Sequence, residues 1–239
     1  MARLTGLVDW SKGYAVAVSD AQPVTRRTGG VARGRIDKRQ KILDAAFAVF
    51  AREGYAQAGV DAIAAEAGVA KATVYNHFHD KETLLRAAIA ASADQALTEN
   101  LAVVEQLTER GESLRATLET VGIRLIQCYC REQSWALRRL LAAEITQFPD
   151  LLEIVQGRAT ERITEALADR MARLMIAGRL RAGDPRVAAE QFLALLTGPV
   201  EIRARLGTRQ IPESERRDVA RAAVDTFLQA YAVERPASG

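Results

Sequence analysis

GVDAIAAEAGVAKATVYNHFHDK, residues Gly59 to Lys81, is the stretch whose reading decides the fold. Val60, Ile63, Ala64 and Ala67 recur three or four positions apart, which lines them along one side of a short helix. Gly68 supplies the sharp connection that a helix pair of this length needs. Beyond it, Val69, Val74 and Phe78 turn inward, while Lys71, Ala72, Thr73, Asn76 and His77 stay outside and Tyr75 sits at the edge. A second helix with lysine, small residues, threonine and asparagine on its exposed N-terminal half has the size and the hydrogen-bonding groups to enter a DNA major groove. An ordinary helical hairpin with a polar exterior has the same local pattern, so the preceding residues matter. From Asp37 to Arg52, Ile42, Ala45, Ala46, Val49 and Phe50 form a broad apolar stripe able to support the pair from behind.

Specific residues strengthen this reading. Ile42–Leu43–Asp44–Ala45–Ala46, Phe50 with Gly54 and Tyr55, Ile63–Ala64, Gly68–Val69, Thr73–Val74–Tyr75, His77–Phe78 and Asp80–Lys81–Glu82 together resemble the N-terminal domain of TetR-family transcriptional regulators. Ala143–Glu144, Phe148–Pro149, Gly178–Arg179–Leu180 and Ala189–Glu190–Gln191–Phe192 resemble the AefR-like C-terminal type of that family. The resemblance implies an all-α fold: a three-helix head with a helix-turn-helix, plus a larger helical domain for ligand binding and dimerisation. The expected division is a basic N-terminal extension over 1–34, the head over 35–81, the larger domain over 82–232 and a loose tail over 233–239.

The resemblance also implies roles. Lys71, Ala72 and Asn76 match positions that face bases, and Thr73, Tyr75, His77 and Lys81 match positions that contact phosphates, with Tyr75 also able to reach base edges. Chemistry permits the same division: lysine donates to guanine acceptors and asparagine pairs bidentately with adenine, while hydroxyls and Lys81 fix register through the backbone. Gly59 and Ala70 depart from the family, which favours threonine and serine there. Both start a helix without a side-chain acceptor.

Composition sets the frame. Hydrophobic residues make up 49% of the 239, which excludes a mainly disordered chain. The net charge of +3 proves nothing by itself, but its distribution is uneven. Residues 1–81 hold 12 Lys/Arg against 8 Asp/Glu, and the remainder holds 21 against 22, so basicity gathers at the proposed DNA end. Arg26, Arg27, Arg33 and Arg35 form a sparse basic approach to the first head helix: either a mobile extension or an arm for phosphates or the minor groove. With no long apolar run and no signal-like centre in Met1 to Gly30, a cytoplasmic protein is expected.

No cofactor or metal site is implied. His77 and His79 stand two apart, on different faces of a helix, and no cysteine is near them in sequence. Cys128 and Cys130 are poorly placed to bond with each other, and ordinary packing competes with a thiol sensor. Glu144 and Asp150, or Asp9 and Asp20, offer carboxylates, but no nucleophile or paired geometry accompanies them, so an enzyme is not expected.

Downstream, Asp80 caps a helix that joins the head to the larger domain, Asp150 caps another, Gly157 divides a helical run, and Asp184–Pro185 opens a further helix that Gly198–Pro199 kinks. A ligand pocket is expected among Leu125, Cys128, Tyr129, Trp135, Phe148, Met171, Met175 and Phe192, suited to a small hydrophobic or amphipathic effector. The last two helices either complete the monomer core or, as the family implies, meet their symmetry mates in a homodimer through Leu195, Leu196, Val219, Ala223 and Phe227. Two heads on one near-palindromic operator would lie about 34–36 Å apart. An architectural DNA-binding protein without effector control, or a helical protein-interaction module, are the competing expectations.

Overall fold

The computed structural model describes residues 28–108 and 113–233. Among them ten α-helices follow one another: α1 (Thr28–Gln57), α2 (Val60–Ala67), α3 (Lys71–His77), α4 (Lys81–Val104), α5 (Leu114–Tyr129), α6 (Glu132–Glu144), α7 (Asp150–Val155), α8 (Glu161–Ile176), α9 (Pro185–Ala204) and α10 (Glu213–Tyr231). The fold is all-α, with a small N-terminal head and a larger C-terminal bundle. Among the described residues the backbone is helical from Thr28, inside the stretch read as an extension. Arg26 and Arg27 lie outside the described residues, as do the side chains of Arg33 and Arg35, and so do residues 234–239 of the tail.

The head closes around side chains that the apolar stripe supplies. Ile42, Ala46, Val49 and Phe50 of α1 meet Ile63 of α2, Val74 of α3, and Leu84, Leu85 and Ile89 of α4, all buried. Gly68 has φ 65° and ψ 36°, the left-handed conformation that only glycine adopts cheaply, and it turns the chain from α2 into α3. Gly54 has φ 74° and ψ 165°, a combination essentially closed to other residues, and it breaks α1 near where the periodicity stops.

The head core does not end at residue 81. Leu137, Leu140 and Leu141 of α6, with Phe148 and Leu151, belong to the same buried cluster. The kink at Gly54 brings Tyr55 against Phe148, with ring centroids 4.8 Å apart and edge to face, and the Tyr55 N–H donates to Glu144 Oε1 at 2.8 Å.

In the bundle, α5, α8, α9 and α10 bury Leu118, Val121, Ile126, Leu167, Met171, Phe192, Leu196, Val224 and Phe227 against one another. Asp80 caps α4, accepting from the Thr83 N–H at 2.6 Å. Asp184 caps α9, with Pro185 in the first turn. Pro199 sits inside α9. Two expectations are corrected. Asp150 is the first residue of α7 and pairs with Arg86 at 2.6 Å instead of capping. Gly157 does not divide the run, because Gln156–Thr160 forms a π-helical turn that carries α7 into α8.

Candidate nucleic-acid interface and inner cavity

Helix α3 is seven residues long, and Val74 anchors it in the head core, with Phe78 following at its C-terminal end. That anchoring fixes which side is presented. Lys71, Ala72, Tyr75 and Asn76 are exposed, and Thr73 and His77 are half-buried. The N-caps at Gly59 and Ala70 make no side-chain hydrogen bond. The Lys71 ammonium donates to Asp61 Oδ2 of α2 at 2.9 Å, so α2 holds this side chain near the presented face. Lys81 stands apart from the other presented residues. Its ammonium donates to the Ala56 carbonyl at 3.3 Å and lies 4.5 Å from the Tyr55 ring centroid, beside the α1 kink. The structure thus gathers Lys71, Ala72, Thr73, Tyr75, Asn76 and His77 on one short helix and places Lys81 at its border.

The bundle holds a half-open cavity of about 300 Å³. Its wall draws on α4 (Ala93, Ala96, Asn100), α5 (Leu125, Cys128, Tyr129), α6 (Ser134, Leu137, Arg138, Leu141), the end of α7 (Val155), the π-helical turn (Ala159, Thr160), α8 (Ile163) and α9 (Leu193, Thr197). Of the eight side chains expected to line a pocket, Leu125, Cys128 and Tyr129 do so. The other five are placed elsewhere by their packing. Trp135 lies edge to face with Tyr129, 5.4 Å between centroids. Phe148 fills the seam between head and bundle. Met171 and Phe192 are fully buried in the bundle core, where Phe192 packs on Phe227, and Met175 packs at the margin of that core. Burial pushes the Cys128 and Cys130 thiols up, the opposite of what an activated thiol needs.

Sequence reasoning missed Arg138. Its guanidinium lies 3.6 Å from the Tyr129 ring centroid and 4.4 Å from that of Trp135. Burial brings its pKa down to about 10. The available signal was a cation flanked by Trp135, Leu137 and Leu141 on the apolar stripe of α6.

The two regions share helices. Leu84, Leu85, Ala88 and Ile89 of α4 pack in the head while Ala93, Ala96 and Asn100 of the same helix line the cavity. On α6, Leu137 and Leu141 belong to both the cavity wall and the head cluster, and Glu144 holds the backbone at the α1 kink. Glu144 and Asp150, weighed above as catalytic carboxylates, are therefore partners of the Tyr55 N–H and of Arg86. Among the described residues no cluster of three metal-ligating side chains occurs, and no helix is long and apolar enough to cross a membrane.

The residues expected at a symmetric interface take two kinds of position within the single chain. Leu195 is half-buried, but Leu196, Val219, Ala223 and Phe227 are buried inside the protomer. They occupy the stripes of α9 and α10 that face the chain's own core, as the Phe192–Phe227–Tyr231 ring stack shows. The outer side of α9 instead carries Ile202, 80% exposed, and that of α10 carries Ala222 and Thr226.

Comparison with known proteins agrees with this architecture. Residues 42–88 match the family described as bacterial regulatory proteins, tetR family, and residues 116–233 match the AefR-like transcriptional repressor C-terminal domain. The chain is 30% identical over 152 residues to the HTH-type transcriptional activator FasR of Mycolicibacterium smegmatis, spanning 62% of this chain and 67% of that one. It is also 30% identical over 155 residues to the fatty acid metabolism regulator protein of Bacillus subtilis, spanning 60% and 79%. A crystal structure of a TetR-family regulator from Mesorhizobium loti superposes with a TM-score of 0.77 at 29% identity, covering 83% of this chain and 98% of that one. With its presented helix, its helical bundle and these relatives, the chain belongs to the TetR family of DNA-binding transcriptional regulators.

Proposed function

We propose that this regulator acts as a homodimer on a near-palindromic operator and is a repressor released by a small hydrophobic or amphipathic effector. The observation that carries the DNA-reading part is the arrangement of α3: Lys71, Ala72 and Asn76 face outward together because Val74 is locked into the head core. Lys71 and Asn76 read base edges, Ala72 offers a methyl to thymine, and Thr73, Tyr75, His77 and Lys81 set the register on phosphates. Lys71 shares its charge with Asp61 before it reaches a guanine.

The effector part rests on the cavity and on its shared walls. A compound that fits one arrangement of α4 and α6 better than another shifts the population of head orientations by its difference in affinity. Glu144 at the Gly54 kink and the Arg86–Asp150 pair are the polar contacts through which α6 and α7 hold the head. The C-terminal domain is of the AefR-like type, in keeping with the match over 116–233. The Bacillus subtilis relative is named for fatty acid metabolism, which favours a lipophilic effector. The homodimer forms through the outer sides of α9 and α10, where Leu195, Ile202 and Ala222 supply apolar contact.

Operator affinity measured against salt concentration tests this assignment. Lys71→Ala and Asn76→Ala should each cost about 1–3 kcal/mol of base discrimination. Lys81→Ala should weaken all sequences alike and lower the salt slope by about one phosphate equivalent. Unchanged binding in all three variants contradicts the assigned surface.

A further inference from the structure

Arg138 is the one charged side chain among the described residues that line the cavity. Its hydrogen bonds go to neutral acceptors only: Nη1 donates to the Tyr129 carbonyl at 3.2 Å and to the Ser134 carbonyl at 3.0 Å, and Nη2 donates to the same Tyr129 carbonyl at 3.2 Å. Among the described residues no carboxylate forms an ion pair with it. The Glu201 carboxylate, beyond the Tyr129 ring, is bonded to the Tyr129 hydroxyl. A guanidinium has five N–H groups. Because Tyr129 O is gripped by Nη1 and Nη2 together, the hydrogens left over are those of Nε and the second of Nη2. That edge is the one a carboxylate engages side-on with two parallel bonds.

The rest of the wall has no charge to answer this cation. The Ser134 hydroxyl donates to the Cys128 carbonyl, the Thr197 hydroxyl to the Leu193 carbonyl and the Asn100 amide to the Ala96 carbonyl, so three of the polar side chains are turned back onto helix backbone. An unneutralised cation facing otherwise apolar space is costly in the empty protein and complementary to an anion that enters. Building on the effector reading above, we propose that the cavity takes an amphipathic monocarboxylate. Its carboxylate is held side-on by the Nε–Nη2 edge of Arg138, and its apolar body lies along Leu125, Leu137, Leu141, Val155, Ile163 and Leu193. One cation on the wall selects a single negative charge, and a volume of about 300 Å³, at the lower end for small-molecule sites, selects a body of modest length.

Isothermal titration of the full chain with decanoate and with 1-decanol separates charge from apolar fit. The acid should bind at least about tenfold tighter than the alcohol, a difference of about 1.4 kcal/mol. Arg138→Gln should bring the acid down to the level of the alcohol, and Arg138→Lys should keep part of the preference. Leu193→Trp, which fills the cavity, should abolish binding of both probes. Equal binding of the two probes to the unaltered chain overturns the proposal even if Arg138→Gln fails to fold. So does an acid preference that survives Arg138→Gln or Leu193→Trp, and so does a failure of both probes to bind. Release of operator DNA, followed in parallel by fluorescence anisotropy, keeps the two readings apart. Release by acid and alcohol alike leaves effector control standing and removes the role of Arg138. Selective acid binding without release leaves Arg138 standing and removes effector control.

Discussion

The head and the bundle are built from the same kind of helix, yet they put their apolar surface to opposite uses. In the head, Ile42, Phe50, Ile63, Val74 and Phe78 close on one another, and the groups proposed to meet DNA lie on the outside of α3, with Lys81 at its border. In the bundle, Leu125, Leu137, Leu141, Ile163 and Leu193 surround empty space, and what can meet a ligand is within. A filled core gives a stiff platform, whereas a wall around a void lacks partner atoms on one side and yields more easily. The difference suits the proposed roles, a head that holds α3 in one orientation and a bundle whose freedom an effector would bias.

Paired substitutions sharpen this contrast. Phe50→Ala, at a fully buried head position, should cost about 3–5 kcal/mol in urea unfolding. Leu193→Ala, half-buried beside the cavity, should cost only about 1–2 kcal/mol. Equal losses would mean that the two regions are packed alike. Between them lies the seam. Glu144→Ala leaves the Tyr55 N–H without its acceptor and should cost about 1–3 kcal/mol. The same variant should also make operator affinity less responsive to a cavity ligand, since α6 then holds the α1 kink less firmly. An unaltered response would remove Glu144 from the connection.

The head has reserve stability where its caps are bare. Ala70→Ser places a hydroxyl at the α3 N-cap and should raise stability by about 1 kcal/mol, read as a higher urea midpoint at unchanged slope. The smallest effect belongs to the half-buried Arg86–Asp150 pair. The Arg86 guanidinium holds the Asp150 carboxyl below the usual carboxylate range. A depressed folded-state value means that the contribution is fully present above the unfolded-state pKa, about 3.9, and is lost as pH falls through the folded-state value. The melting-temperature gap between the unaltered chain and Asp150→Asn should therefore close on acidification below about pH 4, and added salt should narrow it at neutral pH. A gap that widens on acidification contradicts the pairing.

What could be read from the sequence follows the same division. The outward side of α3 was legible because one buried position, Val74, sets the facing of seven contiguous residues. The Gly54 and Gly68 breaks were legible because glycine interrupts a period wherever it stands. The cavity was not, since its wall is assembled from distant segments, and neither Met171 nor Phe192 advertises that it faces the core instead of a void. Arg138 was written into the sequence as a cation among apolar neighbours, but the lack of an acid beside it is visible only once the helices are packed. The dimer surface is hard to read from sequence for a related reason. Leu196, Val219, Ala223 and Phe227 form the strongest apolar stripes of α9 and α10, and a strong stripe serves the helix's own core first. An outer contact must use what remains on the far side.

On the proposed reading, α3 chooses a DNA sequence through Lys71 and Asn76. Selection of duplexes from a random library by the purified chain at low salt, followed by sequencing, measures that choice. Expected are enrichment of an inverted repeat with half-sites one helical turn apart, altered bases within each half-site for Lys71→Ala and Asn76→Ala, and the same motif recovered more weakly for Lys81→Ala. Recovery of no motif by the folded, unaltered chain, or of an identical motif by Lys71→Ala and Asn76→Ala, would contradict that reading.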